Sequence, residues 1–186
     1  MYEPGWLLTA EHLVRGLSAV EVRYADADNS PQSATGYVRG TDRYRDLAAI
    51  EVEIDLPDLS VASGVYTRQT AKPVMSLGYS SNPPIGFPNV RVGVVTTAYT
   101  LDGGDLPAFE TDATFDPGDS GGPVVGIDGR VMGVSQASRV TAGPNYYRVQ
   151  GQQRALSISE IVEVWEQLKE GERLNASSTS YWWLRE

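Results

Sequence analysis

The chain contains no cysteine and a single histidine. The first absence excludes a disulfide framework and any thiolate metal site. The second leaves His12 as the one side chain whose unperturbed pKa lies near neutrality. Basic residues are also scarce. Fifteen Lys and Arg stand against 24 Asp and Glu, a net charge of −9, which disfavours nucleic acid and anionic membrane as partners because both need a basic face. No run approaches the roughly 18 apolar residues of a membrane span. The opening Met1-Tyr2-Glu3-Pro4-Gly5 has no basic stretch and is not read as a signal peptide. No pattern in the sequence calls for a metal or cofactor. Disorder of the whole chain is excluded as well, since 41% hydrophobic and 21% charged residues lie in the globular range. A length of 186 residues suits one compact unit or two small barrels sharing an interface.

What is present is a series of short alternating segments between frequent glycines and prolines. Val20-Glu21-Val22-Arg23-Tyr24 and Ile50-Glu51-Val52-Glu53-Ile54 have the period of half-buried strands. Residues 36–39, 74–78, 90–95, 122–127 and 131–135 fit the same reading, and Asp128-Gly129 predicts a tight hairpin between the last two. Many short strands at this spacing predict an all-β sandwich or barrels. One helix stands out. Ser159 is a candidate cap, and Ile161, Val164, Trp165 and Leu168 form a 3.6-period stripe over residues 160–169, stopped by Gly171. Residues 57–68 read as a linker, residues 80–88 and 99–107 as loops, and a short helical turn is expected just after His12. The polar stretch 175–180 is followed by Tyr181-Trp182-Trp183-Leu184, an apolar patch expected to fold back on the body or meet a neighbour.

The chemistry concentrates in Gly118-Asp119-Ser120-Gly121-Gly122-Pro123. A glycine-rich turn can expose the Ser120 hydroxyl and aim backbone N–H groups at a substrate oxygen. The hydroxyl is a weak nucleophile unless a base takes its proton and donors stabilise the oxyanion. His12 is the candidate base, and it ends the apolar run Trp6-Leu7-Leu8-Thr9-Ala10-Glu11-His12. Asp46 is the candidate orienting acid, with Asp42 as the rival. The resulting order, His then Asp then Ser, runs against a Gly-x-Ser-x-Gly esterase, in which the serine precedes the histidine.

These segments resemble the chymotrypsin-like serine peptidase family. Leu8-Thr9-Ala10-Glu11-His12, Asp46-Leu47-Ala48 and the serine block match its three signature blocks in order, and the strand-like run after Asp46 favours it over Asp42. Thr111-Asp112-Ala113 and Leu156-Ser157-Ile158-Ser159 are similar to the bacterial HtrA/Deg-like branch, without a PDZ domain. The likeness runs from about Leu7 to Leu168, and the lack of cysteine suits its bacterial members. The resemblance implies two packed antiparallel barrels of the six-stranded type with a C-terminal helix. Few residues precede the histidine block, so the first barrel is expected to be incomplete and open on one side. The expected units are 1–58 for the first barrel, 59–70 for the linker, 71–158 for the second barrel, 159–170 for the helix and 171–186 for the tail. The implied activity is endopeptidase action on protein or peptide substrates, with an inactive protease-like binding module as the alternative. The resemblance further implies a His12, Asp46 and Ser120 triad, oxyanion donors at Gly118 and Ser120, and a structural Asp119. Thr114 would lie at the base of the specificity pocket, and Ser135, Gln136 and Ala137 would form a wall that pairs with the substrate backbone. A neutral Thr114 argues against selection of Lys or Arg. An oligomeric state is not implied.

Overall fold

A computed structural model of the chain describes residues 2–57, 59–62, 70–101, 106–140 and 148–174. The strands are β1 (Trp6–Thr9), β2 (Ala19–Ala25), β3 (Pro31–Asp42), β4 (Leu47–Val52), β5 (Pro73–Gly78), β6 (Asn89–Leu101), β7 (Leu106–Thr111), β8 (Pro123–Gly126), β9 (Val131–Val140), β10 (Arg148–Ser157) and β11 (Arg173–Leu174). A single 3₁₀ turn, Glu11–Leu13, follows β1, and one α-helix, α1 (Ile158–Lys169), precedes β11.

The second half closes on itself. Strands β10, β7, β6, β5, β8 and β9 form a six-stranded barrel, sealed where β9 pairs with β10. Its interior is filled by Val74, Val95, Phe109, Val124, Met132 and Ala155, each at most 3% exposed. The first half stays open, as expected. Its sheet runs β1-β4-β3-β11, with β2 added to the first part of β3. The apolar cluster inside it is correspondingly small: Val14, Ala48 and Ile50, flanked by Leu7, Val20 and Val38.

A third cluster joins the two halves. Leu47 and Ala49 of β4 meet Val125, Val131, Val134 and Leu156 of the barrel, and the apolar stripe of α1 covers both. Tyr2 and Trp6 pack edge-on against Trp165 of that stripe. The helix begins at Ile158 with Ser157 as its cap residue, two positions earlier than its sequence suggests. The reason is Ile158 itself. It is 1% exposed in the joint core, which draws the first helical turn inward.

One loop is shorter than expected. Residues 99–101 continue β6, and 106–107 begin β7, paired as Tyr99 with Ala108 and Leu101 with Leu106. Cross-strand pairing there overrides Pro107, which sits one residue inside its strand. The turn at 126–130 is present, with Gly126 N–H donating to the Arg130 carbonyl and Gly129 N–H to that of Gly126. Residues 80–88 form the expected loop. The apolar tail 181–184 and most of the stretch read as linker lie outside the described residues.

After α1 the chain returns to the first sheet. Strand β11 runs parallel to the end of β3, where Thr41 N–H donates to the Glu172 carbonyl and Arg43 N–H to that of Leu174. Gly40 makes this possible, because a Cβ there would lie 2.1 Å from the Leu168 carbonyl oxygen and 2.6 Å from its Cα. Gly40→Ala is therefore expected to push the end of α1 off the sheet. A loss of about 3 kcal/mol, read as a lower urea midpoint at unchanged slope, checks this packing.

Candidate active site

His12 lies in the 3₁₀ turn, so the turn contains it rather than following it. Buried Ala10 and Val14 anchor the turn on either side, and Val14 N–H closes it onto the Glu11 carbonyl. Glu11 is only 6% exposed, but its charge is not alone. The Arg15 guanidinium, one helical turn on, holds its carboxylate through both oxygens at 2.8 to 3.2 Å.

Asp46 meets His12 twice. Its Oδ1 accepts the His12 backbone N–H at 2.9 Å, and its Oδ2 lies 2.8 Å from Nδ1 of the ring. The carboxylate is 4% exposed and the ring is partly open to solvent. The Asp46 bond, more than any other influence, raises the His12 pKa above its ordinary value, and burial opposes it. Asp46 has φ 55°, a left-handed backbone that Asp tolerates better than most residues.

The rival Asp42 serves the same turn in another way. Its Oδ1 accepts the N–H groups of Tyr44 and Arg45, and its Oδ2 accepts from the Arg45 guanidinium at 3.1 Å. Asp42 thus shapes the turn, and Asp46 touches the imidazole. Arg45 also reaches Glu160 on α1 at 3.1 Å, which ties the turn to the helix. Burial tends to lower the Arg45 pKa, but Asp42 and Glu160 together leave it raised.

The serine turn packs against the strand that leads to His12. Gly121 has φ 81°, and a Cβ there would lie 2.4 Å from Thr9 Oγ1 and 2.9 Å from the Ala10 nitrogen. No other residue type permits that approach. Within the turn the N–H groups of Asp119, Gly121 and Gly122 donate to the carbonyls of Asp116, Ser135 and Asp119. Those of Gly118 and Ser120 donate to nothing among the described residues. The Ser120 hydroxyl donates to the Gln136 carbonyl at 3.3 Å and makes no bond to His12 in this conformation.

The remaining residues singled out in the sequence occupy the flanks. Thr114 is exposed in the loop before the serine turn, and its carbonyl accepts the Ser76 hydroxyl at 3.3 Å. Ser135 is buried. Its hydroxyl donates to the carbonyls of Asp119 and Gly122, and its own N–H and carbonyl pair with Gly122 and Gly121. Gln136 is 4% exposed and donates its side-chain amide to the Arg45 carbonyl. Ala137 lies on β9 opposite Arg154. In the Thr111-Asp112-Ala113 segment, Thr111 caps Ala113 N–H and Asp112 accepts Val94 N–H. Among the described residues no group of His, Cys, Asp or Glu is placed to hold a metal ion, and no helix is long and apolar enough to cross a membrane.

Arg91 is absent from any sequence-based account of the site. It reaches Asp119 Oδ2 at 2.9 Å, Asp116 Oδ2 at 2.7 Å and the Ser80 hydroxyl at 2.9 Å. Asp119 is 2% exposed and also accepts the N–H groups of Ser80 and Asp116. Arg91 thus neutralises the buried carboxylate next to Ser120. The alternation Val90-Arg91-Val92 would place Arg91 outward. The reverse holds: Val90 and Val92 are 54% and 73% exposed, and the Arg91 side chain is 22% exposed.

A model of the trypsin-like peptidase domain matches residues 1–134. The chain is 32% identical over 156 residues to the putative serine protease HhoA of Synechocystis sp., which covers 74% of this chain and 35% of that protein. It is 29% identical over 170 residues to a probable periplasmic serine endoprotease, DegP-like, of Hahella chejuensis, covering 89% of this chain and 34% of that protein. The chain thus spans about a third of the length of these curated relatives. Among solved structures, the HtrA-type protease AlgW with decapeptide superposes with a TM-score of 0.75 at 22% identity, over 92% of this chain and 51% of that one. Deg5 gives 0.75 at 20% identity, over 92% and 83%. At these identities the likeness is one of fold.

Removing Arg91 leaves the Asp119 charge buried with backbone donors alone. Arg91→Met is expected to cost about 3 kcal/mol in chemical denaturation. Adding Asp119→Asn is expected to recover part of that loss, because the uncompensated charge is gone.

Proposed function

The chain belongs to the trypsin-like peptidase family, and from that premise we propose that it is a serine endopeptidase acting through Ser120, His12 and Asp46. The observation that carries the proposal is the two-point hold of Asp46 on His12. A carboxylate that grips both the backbone and Nδ1 of a histidine fixes the ring and its tautomer, leaving Nε2 as a proton acceptor. Such an arrangement has little purpose on a merely structural histidine.

In the proposed reaction the Ser120 hydroxyl leaves the Gln136 carbonyl and turns to His12 Nε2. Its oxygen attacks the carbonyl carbon of the scissile bond as Nε2 takes the proton. The charge that develops on the substrate oxygen is met by the N–H groups of Gly118 and Ser120, both unspent among the described residues. Collapse breaks the C–N bond, and His12 gives its proton to the leaving amine. Water then attacks the acyl-enzyme, with His12 again as the base, and frees the acid product and Ser120. Rigid donors suit this chemistry, and the Arg91–Asp119 pair holds their turn from beneath.

Substrates are protein or peptide chains. The strand carrying Ser135, Gln136 and Ala137 flanks the serine, and Thr114 occupies the loop six residues before it. Thr114 is itself neutral and offers a Lys or Arg side chain no partner charge, so the proposed preference is for small or medium apolar residues.

Two measurements test the triad. A fluorophosphonate probe is expected to label the wild-type protein and not Ser120→Ala, which folds normally and loses peptide hydrolysis on the order of a million-fold. Residual activity of more than a few per cent in the alanine variant overturns the assignment of the nucleophile.

The second is the pH profile of kcat/KM. His12 acts as base in its neutral form, and its pKa is raised, chiefly by Asp46. Activity is therefore expected to rise along a single-group limb with its midpoint above the ordinary imidazole value of about 6.5. The linkage to stability has the opposite direction. The charged pair stabilises the fold fully below the unfolded-state pKa, and that contribution fades as pH climbs through the folded one. A flat activity profile from about pH 5 to 8 removes His12 from the role of base.

A further inference from the structure

We infer that Gln136 is a positioning residue that holds the Asp46 turn in register with Ser120. The inference rests on the triad reading and assigns Gln136 a task other than lining the substrate cleft. It starts from one residue bonded at both ends. The main-chain oxygen of Gln136 receives the Ser120 hydroxyl at 3.3 Å. Its side-chain Nε2 donates to the Arg45 carbonyl, 91 positions away in sequence. The first bond lies on the barrel and the second crosses to the open sheet.

The Arg45 carbonyl is a sensitive point to hold. It belongs to the planar peptide unit whose nitrogen is that of Asp46. Fixing that oxygen fixes the plane from which the Asp46 Cα projects. Asp46 is in the left-handed region at φ 55°, and such a conformation persists where its surroundings over-determine it. Asp42 secures the turn from below through the N–H groups of Tyr44 and Arg45. Glu160 secures it from α1 through the Arg45 guanidinium. Gln136 secures it from the strand that receives Ser120. Those first two hold the turn on its own side of the molecule. The Gln136 amide relates it to the nucleophile.

The amide is used at its donor end. Gln136 is 4% exposed, and its Oε1 has no hydrogen-bond partner among the described residues. Burial of an unsatisfied oxygen is costly, and an apolar side chain of similar length would avoid it. What glutamine supplies and such a side chain lacks is the N–H donor to Arg45.

The lone histidine makes the test direct. The imidazole signals of this protein come from His12 alone, so an NMR titration reads that ring without assignment and without activity. Around His12 stand Asp46, Glu11 and Arg15, and a substitution at Gln136 alters the identity and charge of none of them. In the Ser120→Ala background, Gln136→Met is expected to lower the His12 midpoint, because the Asp46 bond that raises it loosens. Gln136→Glu is expected to show the greater disturbance, since it sets a second acceptor against the Arg45 carbonyl. With Ser120 restored, Gln136→Met is expected to lose kcat by about 10- to 100-fold, the scale of a small misplacement of catalytic groups, with KM within about twofold. Should the methionine variant not fold, Gln136→Leu takes its place.

An unchanged His12 midpoint in both Gln136→Met and Gln136→Glu overturns the inference. A loss confined to KM also overturns it and makes Gln136 a substrate contact. If Ser120→Ala retains activity, the triad reading fails separately, and the titration still reports whether Gln136 holds Asp46 against the ring.

Discussion

The site depends on one carboxylate held still. Asp46 accepts the backbone N–H and faces the ring nitrogen of His12 at under 3 Å each, and it does so from a left-handed backbone. A strained, buried, charged residue keeps such a position only if several neighbours agree on it. Here they come from every side. Asp42 builds the turn, Arg45 links it to Glu160 on α1, and β11 pairs with the strand that leads into it. The helix that seals the two halves together is therefore also tied to the turn that carries Asp46. Its apolar stripe buries Leu47 and Ala49, the first and third residues after Asp46 turns into β4.

A second charged cluster supports the serine turn from the opposite side. Arg91 binds Asp119, Asp116 and Ser80 in one fork. A charge as deeply buried as that of Asp119 rarely adds to stability by itself, since desolvation consumes most of the Coulombic gain. Its value is directional. A guanidinium has fixed donor geometry, so the peptide units on either side of Asp119 are held at set angles, and Ser120 follows in the same turn. Between the two clusters, Gly121 packs close to Thr9 and Ala10 and Gln136 crosses between the halves.

The legibility of each element followed its physical cause. The α1 stripe, the turn at 126–130 and the alternation in β2 were readable because their signals are local: period, turn chemistry and half-burial. Strand β6 was readable as a strand but not in its facing. Val90 and Val92 look outward because Arg91 has a buried carboxylate to answer 28 positions away. Period alone leaves the two faces equivalent. The helix starts earlier than its capping signal because Ile158 answers to the core between the halves rather than to a capping serine. The Pro107 region reads as a loop because proline disfavours a ladder, and only the hairpin pairing of β7 with β6 carries it into a strand.

The sequence by itself determined the order of His12, Asp46 and Ser120, the glycine-rich turn, the all-β character and the final helix. These are properties of residue type, chain order and local spacing. Tertiary structure placed Asp46 rather than Asp42 against His12, turned Arg91 toward Asp119, and brought Gln136 to the Arg45 carbonyl. It also left the first sheet open beside a closed barrel. Those outcomes rest on contacts between groups remote in sequence. Their hydrogen-bond and desolvation energies depend on distances of a few ångströms, and the chain acquires those distances by folding.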